Sequence, residues 1–147
     1  MIAEINNILL IDDDNTTNYL SKIIIGDTGL VKNFHVALNG KRALDFISQR
    51  SRENDALPEI IFLDINMPIM DGWEFLEEYN KLSEPVKSAS VIVMLSSSGN
   101  QQDRVRAAQN PLVREYTSKP LTFEFINELL MKYFHEPEIA RSYAKAG

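Results

Sequence analysis

Short apolar runs alternate along the chain with longer stretches in which apolar residues recur at helical spacing. Residues 8–11, 60–63 and 91–95 form unbroken runs rich in β-branched side chains. Such runs are typical of strands that are buried on both faces of a sheet. Residues 32–38, where Phe34, Val36 and Leu38 alternate with polar residues, and residues 113–117 predict two further strands.

Each predicted strand is followed by a stretch that predicts a helix. Leu20, Ile23 and Ile24 predict the apolar face of the first helix, and Pro85 is expected to end the connection after the third. The apolar faces of the other helices consist of Ala43, Leu44, Phe46 and Ile47; Trp73, Leu76, Tyr79 and Leu82; Val105 and Ala108; and Phe123, Ile126, Leu129, Leu130 and Tyr133. Five strand–helix units predict an α/β domain with a parallel sheet and helices on both faces. We expect this domain to span residues 1–135 and a polar tail to span residues 136–147.

Composition narrows the classes of function. A hydrophobic content of 44% in 147 residues suffices for one core, whereas a net charge of −6 argues against binding to nucleic acid or an anionic membrane. The absence of cysteine excludes disulfides, thiolate metal sites and cysteine nucleophiles. The N-terminus lacks the features of a secretory signal, and no apolar run approaches the roughly 20 residues that cross a bilayer. We therefore expect a cytoplasmic protein.

Polar side chains that could act in catalysis or metal binding follow four of the predicted strands. Asp12 and Asp13 follow the first strand, Asp64 the third, Ser96 the fourth and Lys119 the fifth. Ligands of open α/β sheets bind at the carboxyl ends of the strands, so these groups converge if the strand order brings the first, third, fourth and fifth strands together. Neighbouring carboxylates repel each other unless a cation compensates, and Mg²⁺ prefers such oxygen ligands. The set favours phosphoryl transfer to an aspartate nucleophile.

Four motifs at these strand ends carry a resemblance to a known family. They are Ile-Asp-Asp at 11–13, Phe-Leu-Asp-Ile-Asn-Met-Pro-Ile-Met-Asp-Gly at 62–72, Leu-Ser-Ser at 95–97 and Tyr-Thr-Ser-Lys-Pro-Leu at 116–121. From about residue 8 to 134 the chain resembles the response-regulator receiver domains of two-component signalling, in their stand-alone, single-domain form. The resemblance implies a flavodoxin-like, doubly wound (βα)5 fold with a five-stranded parallel sheet of order 2-1-3-4-5.

The resemblance also implies a phosphorylation site and a metal site. Asp64 corresponds to the phosphoacceptor, Asp13 to a direct metal ligand, and Asp12 to a ligand that acts through water or orients the metal's shell. Asp64 itself and the backbone carbonyl of Asn66 complete the implied metal ligands. The implied cofactor is Mg²⁺, for which Mn²⁺ could substitute.

Further positions correspond to the family's switch. Ser96 matches the hydroxyl residue that follows the phosphoryl group, and Lys119 matches the lysine that pairs with the acceptor, followed by a cis-proline at Pro120. Tyr116 matches an aromatic residue whose ring turns inward when the hydroxyl moves. Asn66 and Ser98 stand where the family varies the lifetime of the phosphate, and Asp14 is an acid beyond the usual pair.

The resemblance implies a signalling switch that catalyses only its own phosphorylation and dephosphorylation. The donor would be a sensor histidine kinase or a histidine phosphotransfer protein. With no effector domain expected after the fifth helix, output would pass to an unknown protein target or along a relay.

Two other interpretations have weaker support. An aspartate-dependent phosphatase generally needs an acid two residues after its nucleophile, where this chain has Asn66. An interaction module without chemistry would not need the complete set of acids, hydroxyl and lysine. Taken alone, residues 12–14 would more often be a turn and helix cap than a metal site.

Overall fold

In the computed structural model, which describes residues 3–97 and 99–135, strands and helices alternate along the chain. The elements in chain order are β1 (Ile5–Ile11), α1 (Asn15–Gly26), β2 (Val31–Ala37), α2 (Gly40–Arg52), β3 (Ile60–Asp64), α3 (Gly72–Tyr79), α4 (Glu84–Ser88), β4 (Val91–Ser96), α5 (Gln101–Gln109), β5 (Val113–Ser118) and α6 (Phe123–Phe134). Among the residues described, no helix has the length and apolar character needed to span a membrane. The predicted tail at 136–147 lies outside the described residues.

The five strands form one sheet in the order β2-β1-β3-β4-β5, and every neighbouring pair is parallel. The predicted fold class and strand order are therefore confirmed. Ile11 pairs with Leu63, and Asp64 pairs with Leu95. This register sets the ends of β1, β3 and β4 side by side at one edge. The chain reverses its direction of winding between β1 and β3, which is where ligands bind in such sheets.

Helices cover both faces of the sheet and form two separate cores. On one face, α2, α3, α4 and α5 pack against residues such as Ile61 and Leu63 of β3. On the other, α1 and α6 pack against residues such as Ile60 and Phe62. Successive side chains of β3 thus enter opposite cores, which explains why this strand is apolar throughout.

The prediction for the apolar face of the first helix was wrong for Leu20 and Ile23, whereas Ile24 packs against the core. Leu20 is 49% exposed and Ile23 is 43% exposed, whereas α1 buries Asn18, Ser21 and Ile25. The reason lies in the end of β1, because the Asn18 amide donates a 2.9 Å hydrogen bond to the backbone carbonyl of Asp12. A buried carbonyl needs such a donor, so a polar residue occupies a position that periodicity assigns to solvent.

Two smaller expectations also differ from the structure. Pro85 does not end the connection but lies in the first turn of α4, where its missing N–H is no loss, and Val86 of this short helix is buried. Val36 of β2 and Leu38, which lies just after the end of this strand, remain partly exposed, while Ala37 is buried. β2 is an edge strand that pairs only with β1, so the apolar residues that alternate along it are not fully covered by the rest of the protein.

Candidate functional site

Acids and an ammonium group meet at the carboxyl edge of the sheet. Asp12 follows β1, Asp64 ends β3 and Lys119 follows β5. The Lys119 ammonium donates a hydrogen bond of 2.6 Å to Asp12 Oδ2 and lies 3.0 Å from Asp64 Oδ1. Both carboxylates are buried. The structure therefore brings these three predicted residues into direct contact.

A third carboxylate completes an acidic cluster. Ligand atoms of Asp12, Asp13 and Asp64 all lie within 4.8 Å of one another, and Asp13 is the exposed member. Hard oxygen donors at this spacing fit Mg²⁺ or Mn²⁺. Asn66, the source of the further predicted ligand, lies in the exposed loop that follows β3.

Four hydrogen bonds fix Asp12 in place, one of which its own N–H donates to the Ala37 carbonyl at 3.0 Å. Its Oδ1 atom accepts the Asp14 N–H at 2.9 Å, its Oδ2 atom accepts Lys119, and its backbone carbonyl accepts the Asn18 amide. Sequence reasoning missed Asn18. The sequence signal that could have identified it was a polar residue in the helix that follows the acidic pair. Because Asn18 is buried, its side-chain amide requires a hydrogen-bond partner.

Asp14 does not belong to the acidic cluster. It is the N-cap of α1, since its carboxylate accepts hydrogen bonds from the Thr16 N–H at 3.0 Å and the Thr17 hydroxyl at 2.8 Å. The hydrogen bond from the Thr17 hydroxyl and that from the Thr16 N–H lower the pKa of Asp14. The more ordinary interpretation, a helix cap, thus holds for this one acid.

Burial and repulsion disfavour the charged form of Asp64. Removal from water raises the pKa of this carboxyl group, and the charges of Asp12 and Asp13 act in the same direction, while Lys119 opposes them. Burial alone would lower the pKa of Lys119, but its hydrogen bonds to Asp12 and Asp64 outweigh that effect and raise it. With all four groups charged, three carboxylates face one ammonium, which leaves an excess of two negative charges. A divalent cation matches that excess.

Ser96 and Lys119 are tied together through the backbone. Ser96 ends β4 and is buried, and its carbonyl accepts the Lys119 N–H at 2.8 Å. The peptide bond between Lys119 and Pro120 is cis. Ser98, which the resemblance linked to phosphate lifetime, lies outside the described residues.

Tyr116 lies on β5, where it pairs with Met94. Its ring packs against the core beneath α2, α3 and α5, and its hydroxyl is buried without a hydrogen-bond partner. The Arg104 guanidinium lies over the ring, 5.1 Å from its centroid. The hydroxyl therefore lies inside the protein.

The start of α3 is pressed against the end of β3. A Cβ atom on Gly72 would lie 2.5 Å from the backbone carbonyl oxygen of Asp64, a distance that real Cβ atoms do not show. The Gly72 N–H donates to the Ile65 carbonyl at 2.8 Å, and a reciprocal capping box joins Asp71 and Glu74. Only glycine allows this approach, so the Asp-Gly pair positions the backbone that carries Asp64.

The loop between β3 and α3 is also anchored to α2. The Met70 N–H donates to the Pro68 carbonyl at 2.7 Å, which closes a tight turn with Ile69 at a φ of 70°. This conformation is rare for a β-branched residue. The Gly40 N–H donates to the Met70 carbonyl at 3.1 Å, and a Cβ on Gly40 would lie 2.8 Å from Met70 Cγ. The turn is thus held from both sides.

Comparison with known proteins gives a consistent result. The model of the response regulator receiver domain family matches residues 8–131. The chain is 32% identical over 117 residues to the probable methanogenesis regulatory protein FilR2 of Methanothrix harundinacea. The aligned region covers 80% of this chain and 74% of that protein. It is 27% identical over 125 residues to the sensor histidine kinase CheAY of Helicobacter pylori, covering 85% of this chain but 14% of that protein.

A solved structure shows the same fold. The crystal structure of a two-component response regulator from Cytophaga hutchinsonii superposes with a TM-score of 0.82 at 35% identity, covering 88% of this chain and 97% of that chain. The family match begins within β1, extends beyond β5 into α6, and includes every acid of the cluster. The chain therefore belongs to the response regulator receiver domain family.

Proposed function

We propose that this chain is a phosphoacceptor switch of a two-component system or phosphorelay, which receives a phosphoryl group from phosphohistidine on Asp64. The observation that supports this most is the contact of one ammonium with two buried carboxylates from different strands, beside a third acid. An aspartate can form a transient covalent bond with a phosphoryl group, and the lysine fixed beside Asp64 is placed to stabilise the negative charge of that group.

The chain's own residues have separate roles in this transfer. An Asp64 carboxylate oxygen forms the new P–O bond while the P–N bond of the donor breaks and its electron pair stays on the imidazole nitrogen. Lys119, already 3.0 Å from Asp64, stabilises the charge of the arriving phosphoryl oxygens. Ser96 offers a hydroxyl at the adjacent strand end. Asn18 keeps Asp12 in position through its carbonyl.

Asp12, Asp13, Asp64 and the Asn66 carbonyl would hold Mg²⁺. When bound, this ion neutralises the acids and the phosphoryl oxygens, which otherwise repel each other. Support comes from the spacing of the carboxylates and from the excess of two negative charges described above. Mn²⁺ has the same preference for oxygen ligands and would substitute.

The partner that supplies the phosphoryl group would be a sensor histidine kinase or a histidine phosphotransfer protein. An apolar groove of about 250 Å³ lies beside the acids, between α1 and the loop from β5 to α6, and Lys119 both lines this groove and contacts Asp12 and Asp64. Leu20 and Ile23 are partly exposed along this groove. A donor protein bound in this groove would place its histidine next to Asp64. The exposed apolar residues of α1 would then contact the donor.

The proposed output is a change in the surface near α5, β5 and α6. Phosphorylation would draw Ser96 and Tyr116 inward and shift an equilibrium between two arrangements of this surface. A separate protein target would sense the change. We assign the switch to residues 1–135 and propose that residues 136–147 form a tail outside it. In this function the chain catalyses only the gain and loss of its own phosphoryl group.

The test is the intact mass of the protein after incubation with acetyl phosphate and Mg²⁺. We expect one added phosphoryl group in the native chain, none in Asp64→Asn, and none when a chelator removes the metal. The exposed α2 residue Asp45 supplies a matched control, since Asp45→Asn should be labelled like the native chain. Labelling that survives Asp64→Asn would contradict the assignment of the acceptor.

A further inference from the structure

Helix α5 has very little apolar attachment to the rest of the domain. Of its nine residues, only Ala107 is buried. By contrast, α3 buries five of its eight residues, and both helices pack against the same core. A helix whose face is this polar needs another kind of contact to stay in place.

Two arginines on α5 supply such contacts, each with a different aromatic ring. Arg104 lies over Tyr116 of β5 at 5.1 Å from the ring centroid, and Arg106 lies over Trp73 of α3 at 4.2 Å. A guanidinium within about 6 Å of a ring centroid is attracted by the ring. The same helix is thus linked to the sheet by one arginine and to α3 by the other.

The arrangement of Tyr116 beneath Arg104 is not favourable in every respect. Its hydroxyl is buried without a hydrogen-bond partner, and an unsatisfied buried donor favours conformations in which the group regains one. A ring position with the hydroxyl in water must therefore compete with the observed one. The attraction of the Arg104 guanidinium to the ring face acts in the opposite direction.

We propose that Arg104 is the positioning residue that sets the balance between the inward and outward positions of Tyr116. Through this contact, the position of α5 and that of Tyr116 become coupled. The inference deepens the proposed function and rests on it for its meaning. In the unphosphorylated chain, Arg104 biases Tyr116 toward the inward position that phosphorylation is proposed to favour.

The bias is measurable on the unmodified protein. 3-Fluorotyrosine is incorporated into the full chain, and Tyr116→Phe identifies the ¹⁹F resonance of position 116. The difference in resonance position between H₂O and D₂O then reports contact of this ring with water. Because it is a solvent effect, it separates exposure of the ring from the direct influence of the guanidinium charge. Tyr19, which is 65% exposed, provides the reference for a ring in water.

Arg104→Ala should increase the ratio of outward to inward Tyr116 roughly two- to fivefold, which is the range expected for loss of an exposed cation–π contact. Arg104→Lys, which keeps the charge but not the planar stacking group, should give a smaller increase and serves if the alanine variant folds poorly. Arg106→Ala is the matched control. It removes the equivalent contact of α5 with Trp73 and should change the Tyr116 solvent effect by clearly less than Arg104→Ala does.

Two results would overturn the inference. One is an unchanged solvent effect at Tyr116 in both Arg104 variants. The other is an equal change in Arg106→Ala, because that would attribute the effect to attachment of α5 as a whole. Labelling with acetyl phosphate is measured separately, so a chain that takes no phosphoryl group refutes the proposed function without changing the result for Arg104.

Discussion

Helices α3 and α5 lie on the same face of the sheet and yet are attached by opposite means. α3 buries large side chains, among them Phe75 and Tyr79, and begins with Gly72 in contact with the end of β3. α5 buries one alanine and lays two arginines over aromatic rings. Burial of large apolar groups stabilises far more than a cation–π contact at the surface.

The firm attachment of α3 and the weak attachment of α5 suit two different requirements of the proposed switch. Asp64, the proposed acceptor, would need a backbone that does not move, and α3 supplies a fixed support behind it. A switch also needs an element that is held weakly enough to change position, since segments with few buried apolar contacts open most readily. α5, with Ala107 as its single buried residue, has that property.

The largest effect that this comparison predicts concerns Phe75. Phe75→Ala should lower the free energy of unfolding by about 3–5 kcal/mol, because it leaves a cavity where a fully buried ring contacts the core. Urea unfolding measures the change. Val105→Ala in α5 is the counterpart, and since Val105 is half exposed we expect less than about 0.5 kcal/mol. Equal losses of unfolding free energy in the two variants would contradict the difference in attachment between α3 and α5.

A smaller effect is expected at the point where α3 meets the acceptor strand. Gly72→Ala should destabilise by about 1–3 kcal/mol, since the new methyl group cannot fit beside the Asp64 carbonyl without a backbone shift. The same shift should slow labelling of Asp64 by acetyl phosphate. Gly26→Ala in α1 is the control. Nothing lies within 4 Å of the added atom there, and we expect a gain of about 0.4–1 kcal/mol.

The smallest effect concerns the contact that joins the two helices. Arg106→Ala should lower the free energy of unfolding by about 0.5–1 kcal/mol and change the fluorescence of Trp73, the one tryptophan of the chain. Gln102→Ala, at an exposed position of the same helix, should leave both quantities nearly unchanged. If Arg106→Ala instead destabilised as much as Phe75→Ala, α5 could not be regarded as weakly attached.

The sequence predicted the parts of this molecule that depend on local pattern. Strand runs and the polar residues after them predicted the sheet, and parallel strands place Asp12, Asp64 and Lys119 at the same edge, but their direct contact also depends on the strand order. The strand order came from the resemblance. The added helix α4 was missed because the stretch that contains Pro85 resembles a loop.

What the sequence could not predict depends on neighbours distant along the chain. The buried face of α1 is set by a carbonyl at the end of β1, so Asn18 faces inward and Leu20 outward. Likewise, Arg104 and Arg106 look like an ordinary charged helix surface until Tyr116 and Trp73 are found beneath them. Such pairs join residues far apart in sequence, so they cannot be predicted from the local spacing of apolar residues.

The hydrogen bonds of Lys119 have a further consequence for the ion that the acids would bind. Its ammonium already acts as a built-in counter-ion for Asp12 and Asp64. An entering cation must share these oxygens with a charge that cannot diffuse away, so the net gain from its arrival is reduced. The pocket is therefore expected to exchange its ion readily, and a chelator should strip it without unfolding the domain.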